Sequence, residues 1–168
     1  QQVSSAASDV YKRQYFSNDG SKVFVLGSNG NGGDRDSIIE YSLSTAYDVS
    51  TASGTTQSLI VDGGIGSVLG FTSLHPFGLT FNGDGSKVYV ADGNLDKIFE
   101  ITLASNFDLT SSASHTGTLN TDVSNGSDTP CGITFNNDGS KLFLAGFADQ
   151  EIVYWSLSTD YDIDTEGS

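Results

Sequence analysis

Six aspartates recur at matched places in this chain, and regularly spaced carboxylates are the first candidates for chemistry. Asp19, Asp84 and Asp138 each precede a glycine, Gly20, Gly85 and Gly139, whereas Asp48, Asp108 and Asp162 each follow an aromatic residue. A calcium loop needs several oxygen ligands converging from spaced positions, and each Asp-Gly step offers one carboxylate. The Asp-Gly pairs are therefore expected to be structural turns, and the second set of aspartates to cap local turns. No cofactor is expected, a divalent cation such as calcium being the species that acidic turns of this kind would attract. Residues that break the repetition are the better site candidates. Arg13 and Gln14 are candidate ligand-binding residues on an innermost strand, and His75 is another, just ahead of Pro76. His75 has no second histidine or carboxylate in its motif, which argues against a metal or a general base. His115 falls in an expected outer strand, and Cys131, between Pro130 and Gly132, has no histidine partner assignable from sequence and reads as a small buried side chain. No catalytic set emerges.

The elements that must position these residues are stated three times. The first phrase runs Phe16 to Phe24, Phe81 to Tyr89 and Phe135 to Phe143: an aromatic residue, a polar turn containing Asp-Gly-Ser-Lys, then an alternating apolar run. Glycine after aspartate suits a backbone position of positive φ, so each phrase reads as a hairpin. The second phrase runs Glu40 to Val49, Glu100 to Leu109 and Tyr154 to Ile163. From the aspartate of the first phrase to the leucine of the second is 24, 19 and 19 residues, and the five extra residues of the first copy fall in the loop-forming stretch Gly27 to Gly33. That stretch and the linker Val61 to Gly70 are candidate recognition loops. Neither resembles a phosphate loop, which requires a Gly-Lys-[Ser/Thr] ending and a following helix.

Composition narrows the partners. The 168 residues carry 7 Lys and Arg against 21 Asp and Glu, a formal net charge of −14. A phosphate binder needs a positive patch, so nucleic acid is not expected as a partner, and no apolar run reaches the roughly 20 residues that span a bilayer. The single cysteine excludes an intrachain disulfide framework.

Each unit reads as four short strands. In the second these are Gly78 to Phe81, Lys87 to Ala91, Lys97 to Leu103 and His115 to Leu119, with Phe99, Ile101 and Leu103 on one face and Ile98, Glu100 and Thr102 on the other. The same parity assigns Tyr41, Ile101 and Trp155 to blade packing. The absence of a helical crossover disfavours a parallel α/β fold, and a solenoid or a sandwich fits the period less well than a propeller. The expected fold is all-β: a β-propeller built from three four-stranded antiparallel blades, units 11–61, 76–119 and 130–168. Three blades are too few to close a ring. Only 11 residues follow Leu157, too few for a fourth strand, so residues 1–8 are expected to complete the last blade, either of a partner chain or of a neighbouring copy in a longer parent polypeptide. A homodimer of three plus three blades would then close a six-bladed ring.

The stretches Pro76-Phe77-Gly78-Leu79-Thr80-Phe81 and Pro130-Cys131-Gly132-Ile133-Thr134-Phe135, each leading into Asp-Gly-Ser-Lys, resemble the repeats of the lactonase-like and NHL-like β-propellers. The first unit departs from the pattern, with Arg13 at the glycine position. The resemblance covers nearly the whole chain and implies the fold. Family members range from enzymes to surface binding modules, and the repeat residues are structural. The expected function is a non-catalytic binding or structural module, extracellular or at the cell surface, taking a glycan, a peptide or a small molecule. The alternative that the resemblance implies is a metal-dependent, lactonase-like hydrolase with its site at the mouth of the central channel.

Overall fold

The computed structural model of the chain describes residues 14–28, 36–61, 68–70, 75–121, 130–146 and 151–166. Arg13 and residues 1–8 lie outside them. The described strands, in chain order, are β1 Gln14–Phe16, β2 Lys22–Ser28, β3 Asp36–Leu43, β4 Ala52–Ile60, β5 Pro76–Phe81, β6 Lys87–Asp92, β7 Lys97–Leu103, β8 Ala113–Asn120, β9 Pro130–Phe135, β10 Lys141–Gly146 and β11 Ile152–Ser156. They form three antiparallel sheets in consecutive order, β1 to β4, β5 to β8 and β9 to β11. The first strands β1, β5 and β9 lie beside one another, which makes them the inner edges of three blades. Among the described residues no helix is long and apolar enough to cross a membrane.

The third sheet has three described strands, and its fourth is marked by a single rung. Leu157 bridges Glu166, in the place where Leu43 pairs with Ala52 and Leu103 with Ala113. The second unit's strands run one or two residues longer than expected, β5 from Pro76, β6 to Asp92 and β8 from Ala113 to Asn120, and two stretches expected as loops are partly built into the fold. Gly27 and Ser28 are strand residues, because Ser37 and Asp36 across the ladder supply their register partners. The linker is not wholly a surface loop either, since Val61 and Leu69 are buried in the core between the first two blades.

Each hairpin is built from its own polar residues. In the second unit the Lys87 N–H donates to Asn82 Oδ1 at 2.9 Å and the Ser86 N–H to Asp84 Oδ1 at 2.9 Å. Gly85 closes the turn at φ +78°. What holds that glycine down is the aromatic residue of the second phrase. The N–H groups of Tyr47, Phe107 and Tyr161 donate to the carbonyls of Gly20, Gly85 and Gly139 at 2.9, 2.8 and 2.9 Å. Their rings lie flat enough on the turns that a Cβ on any of the three glycines would overlap them. These aromatic residues themselves adopt φ of 62°, 53° and 57°, a left-handed conformation costing roughly 1–2 kcal/mol for a residue with a Cβ. The hydrogen bond and the ring contact offset that cost. The two phrases are therefore one unit: the second closes over the turn of the first.

Strand parity sorts the core into two layers. Phe24, Leu26 and Ile38 of blade 1 meet Val88, Val90, Phe99 and Ile101 of blade 2. Tyr89, Ala91 and Ile98 on the reverse face of blade 2 meet Leu142, Leu144, Val153 and Trp155 of blade 3. Both faces of the middle blade are thus apolar because it is packed on both sides, each fully buried side chain contributing about 1.5–3 kcal/mol. Tyr41, the third residue assigned to blade packing, is half-buried on the outward face of blade 1. The Gly85→Ala variant is expected to lose about 2 kcal/mol or more, since it meets both the φ and the Phe107 ring, lowering Tm by at least roughly 4 °C. Gly70 has φ +70° but nothing within 4 Å of an added Cβ, so Gly70→Ala should lose only the backbone part, about 1–2 kcal/mol. Equal Tm values for the two variants in calorimetry would contradict the ring-over-glycine account.

Candidate functional site

The charged residues that the fold draws inward sit at the seams between blades. Lys22, which ends the first hairpin, pairs with Glu40 of β3 at 2.7 Å. Lys22 Nζ also donates to the Phe107 carbonyl of the next blade at 2.6 Å, while Glu40 Oε2 accepts the Leu109 N–H at 3.1 Å. The second seam repeats the arrangement. Lys87 pairs with Glu100 at 2.8 Å, Lys87 Nζ reaches the Tyr161 carbonyl at 3.2 Å, and Glu100 Oε2 accepts the Ile163 N–H at 3.4 Å. The Tyr89 hydroxyl adds a second donor to the Tyr161 carbonyl at 2.5 Å. Burial beside Glu100 pushes the Tyr89 phenol well above its ordinary value. A β-bulge at Glu100/Ile101 admits Thr116 as an extra residue in β8, and its hydroxyl donates to Glu100 Oε1 at 2.9 Å. Each seam is therefore a clamp in which a buried carboxylate and a lysine grip the backbone of the neighbouring turn.

The sequence-derived candidates are placed as follows. Gln14 opens β1, exposed and paired with Val25. His75 sits ahead of β5 with its side chain exposed. What the fold uses is the His75 backbone: its N–H donates to Asp92, a carboxylate buried to 0 % exposure. Asp92 also accepts the N–H groups of Asn94 at 3.0 Å and Leu95 at 2.7 Å, which pins the β6–β7 turn to the start of β5. Burial raises the Asp92 carboxyl above its ordinary value, the three N–H donors opposing the shift. His115 lies in β8 with Nε2 within 2.9 Å of the Gly117 carbonyl. Cys131 lies in β9. Gln14 and His75 fall at the entrances of the adjacent strands β1 and β5. Among the described residues no three of His, Cys, Asp and Glu gather as a metal site would require.

The six repeated aspartates point into their own turns. Asp19 accepts from Ser17 Oγ at 2.7 Å and Ser21 N–H at 3.0 Å, and these donors lower its carboxyl from the ordinary 3.8 to about 2. Asp84 and Asp138 are lowered by Ser86 and Ser140, and Asp48 and Asp108 by Ser50 and Thr110. Asp48 and Asp162 are the N-caps of 3-10 turns at Val49–Thr51 and Ile163–Thr165. The clamps and Asp92 were missed from sequence. The signal was present for the clamps, since lysine ends every Asp-Gly-Ser-Lys turn and glutamate opens the second phrase in two copies of three.

The turn carboxylates fix the sign of the pH response. A depressed folded pKa contributes stability that is present above the unfolded value near 3.8 and lost as pH falls towards about 2. Asp92 and Glu166 act oppositely, their contributions being lost as pH rises through their raised values. Five lowered groups stand against these two at the acid end. Tm is expected to fall progressively between about pH 4 and 2, and Asp19→Asn to flatten that slope; a flat acid limb in both proteins would contradict the assignment.

Comparison with known proteins gives the architecture a context. No family model matches the chain, and no curated protein matches it. Solved structures do match. A protein from Lactobacillus plantarum aligns at TM-score 0.59 and 15% identity over 89% of this chain and 38% of its own. A candidate 6-phosphogluconolactonase from Bacteroides uniformis aligns at TM-score 0.53 and 14% identity over 87% of this chain and 39% of its own. The β-propeller domain of Cps50 (Swd1) from Myceliophteria thermophila aligns at TM-score 0.53 and 13% identity, over 86% and 40%. The chain spans about two fifths of the length of these structures, and at such identities the likeness concerns fold alone. Three blades in consecutive order, inner strands side by side and a neighbour that is a β-propeller domain together give this chain a β-propeller fold.

Proposed function

We propose that the chain is a non-catalytic recognition module, a propeller scaffold displayed outside the cell whose loops take a glycan, a peptide or a small molecule. The observation that carries this reading is where the carboxylate oxygens go. Glu40, Glu100 and Asp92 accept backbone N–H groups of neighbouring turns. The repeated aspartates accept from the serine, threonine and backbone donors of their own turns. A general acid or base must have an oxygen free for substrate; both oxygens of Glu40, Glu100 and Asp92 are engaged within the fold, and the turn donors that lower Asp19, Asp48, Asp84, Asp108 and Asp138 make those carboxylates weak bases. The net charge of −14 favours neutral or cationic ligands over phosphorylated ones.

The alternative, a lactonase-like hydrolase using a metal at the channel mouth, is favoured by the name carried by the B. uniformis neighbour. Hydrolysis of 6-phosphogluconolactone, followed with and without added calcium, magnesium and manganese, separates the two. The recognition module leaves the spontaneous rate unchanged under every condition, and retains a ligand on a glycan or peptide array. Saturable, metal-dependent turnover abolished by chelation would establish the hydrolase instead.

A further inference from the structure

Blades 1 and 3 cover the two faces of blade 2 but leave its outer margin open. That margin is β8, the last strand in the sheet order β5 to β8, and among the described strands none pairs with its outer side. An edge strand presents free N–H and C=O groups on which another strand can add. The ladder shows which groups these are. The Thr121 N–H donates to the Asp96 carbonyl at 2.9 Å, so Thr121, Leu119 and Gly117 turn their backbone groups towards β7, and Thr118 and Asn120 turn theirs outward. Ahead of Gly117 the bulge at Glu100/Ile101 interrupts the ladder.

The outward N–H of Thr118 is already taken. It donates to Asp164 Oδ1 at 3.1 Å, across 46 positions, from the turn that blade 3 sends into the second clamp. The carboxylate fits because residue 117 is glycine: a Cβ there would lie 3.0 Å from Asp164 Oδ1 and 3.2 Å from its Cγ. The turn that carries Asp164 is anchored on blade 2 by the Ile163 N–H, which donates to Glu100 Oε2 at 3.4 Å. Ser50 and Thr110 hold the matching place in the other two turns, and both fold back on themselves. The Ser50 hydroxyl donates to Asp48 Oδ1 at 2.6 Å and the Thr110 hydroxyl to Asp108 Oδ1 at 2.5 Å. Asp164 is the copy whose side chain reaches across the seam.

We propose that Asp164 guards the edge of blade 2, and that the guard is in place only while the second seam is closed. A strand adding to β8 needs the Thr118 N–H for its own carbonyl, and it would have to bring that carbonyl oxygen against the Asp164 carboxylate. Charged side chains on an edge are an established barrier to such pairing. Here the charge comes from the neighbouring blade rather than from the strand itself. Opening the seam therefore has two consequences at once. The turn leaves Glu100, and the carboxylate it carries leaves Thr118. The event that bares the apolar layer between blades 2 and 3 also uncovers the strand edge beside it, so protection against strand addition is coupled to blade assembly.

Native-state amide exchange and sedimentation velocity on the folded chain test the guard. Asp164 is exposed, so Asp164→Ala leaves the core intact. It is expected to speed Thr118 exchange about fivefold or more while Ile163 stays protected. The same variant is expected to form oligomers with raised thioflavin T fluorescence at a concentration where the wild type forms none. Gly117→Ala, which displaces the carboxylate without removing it, should reproduce both effects. Glu100→Ala should release Ile163 and Thr118 together, because it frees the turn that carries the guard. A Thr118 rate unchanged by Asp164→Ala overturns the proposal. So does an Asp164→Ala chain that exchanges faster at Thr118 yet associates no more than the wild type.

Discussion

A carboxylate carried into the boundary between two blades loses its water, at an effective cost of several kcal/mol, and must find donors there. Glu40 and Glu100 find them in a lysine of their own blade and a backbone N–H of the next. Removing either partner would strand the other, so the apolar layers on both sides are held to one register. Apolar packing alone would tolerate slippage between blades, because methyl and phenyl groups pack without direction. The clamp supplies the direction, since only one placement of the neighbouring turn brings both a carbonyl to the lysine and an N–H to the glutamate.

That placement depends on the hairpins. The incoming turn presents its carbonyl and N–H correctly because its aromatic residue is anchored on the glycine of its own Asp-Gly turn, by a hydrogen bond and by the ring face. The aspartate that follows holds the next turn from within, as an N-cap. The chain of dependence runs from glycine to aromatic residue to turn to clamp to seam. A repeated phrase that could pass for a binding signature is instead the coupling between blades.

The local part of this was legible in the sequence. Lys97 to Leu103 was delimited correctly as a strand, and Phe99, Ile101 and Leu103 share a buried face as period two required. Asp-Gly turns announce themselves because positive φ demands glycine, and Gly20, Gly85 and Gly139 all adopt it. The clamps were not legible because half of each is backbone. Glu100 meets Ile163 across 63 positions and Glu40 meets Leu109 across 69, and an N–H group leaves no mark on residue type. Asp92 was hidden for the same reason, all three of its donors being main-chain. For His75 the sequence drew attention to the imidazole, whereas the fold employs the amide beside it.

The clamp itself is most directly tested by native-state amide hydrogen exchange at Leu109 and Ile163. Both lie in short turns, where amides ordinarily exchange through small local openings. Held by Glu40 and Glu100, they are predicted to exchange only with the large-scale opening of a seam, as slowly as amides of the adjoining strands, and Glu100→Ala, which removes the acceptor, is predicted to release Ile163 while leaving Leu109 protected. Fast exchange at both positions in the wild-type protein, or an Ile163 rate unchanged by the substitution, would contradict the account.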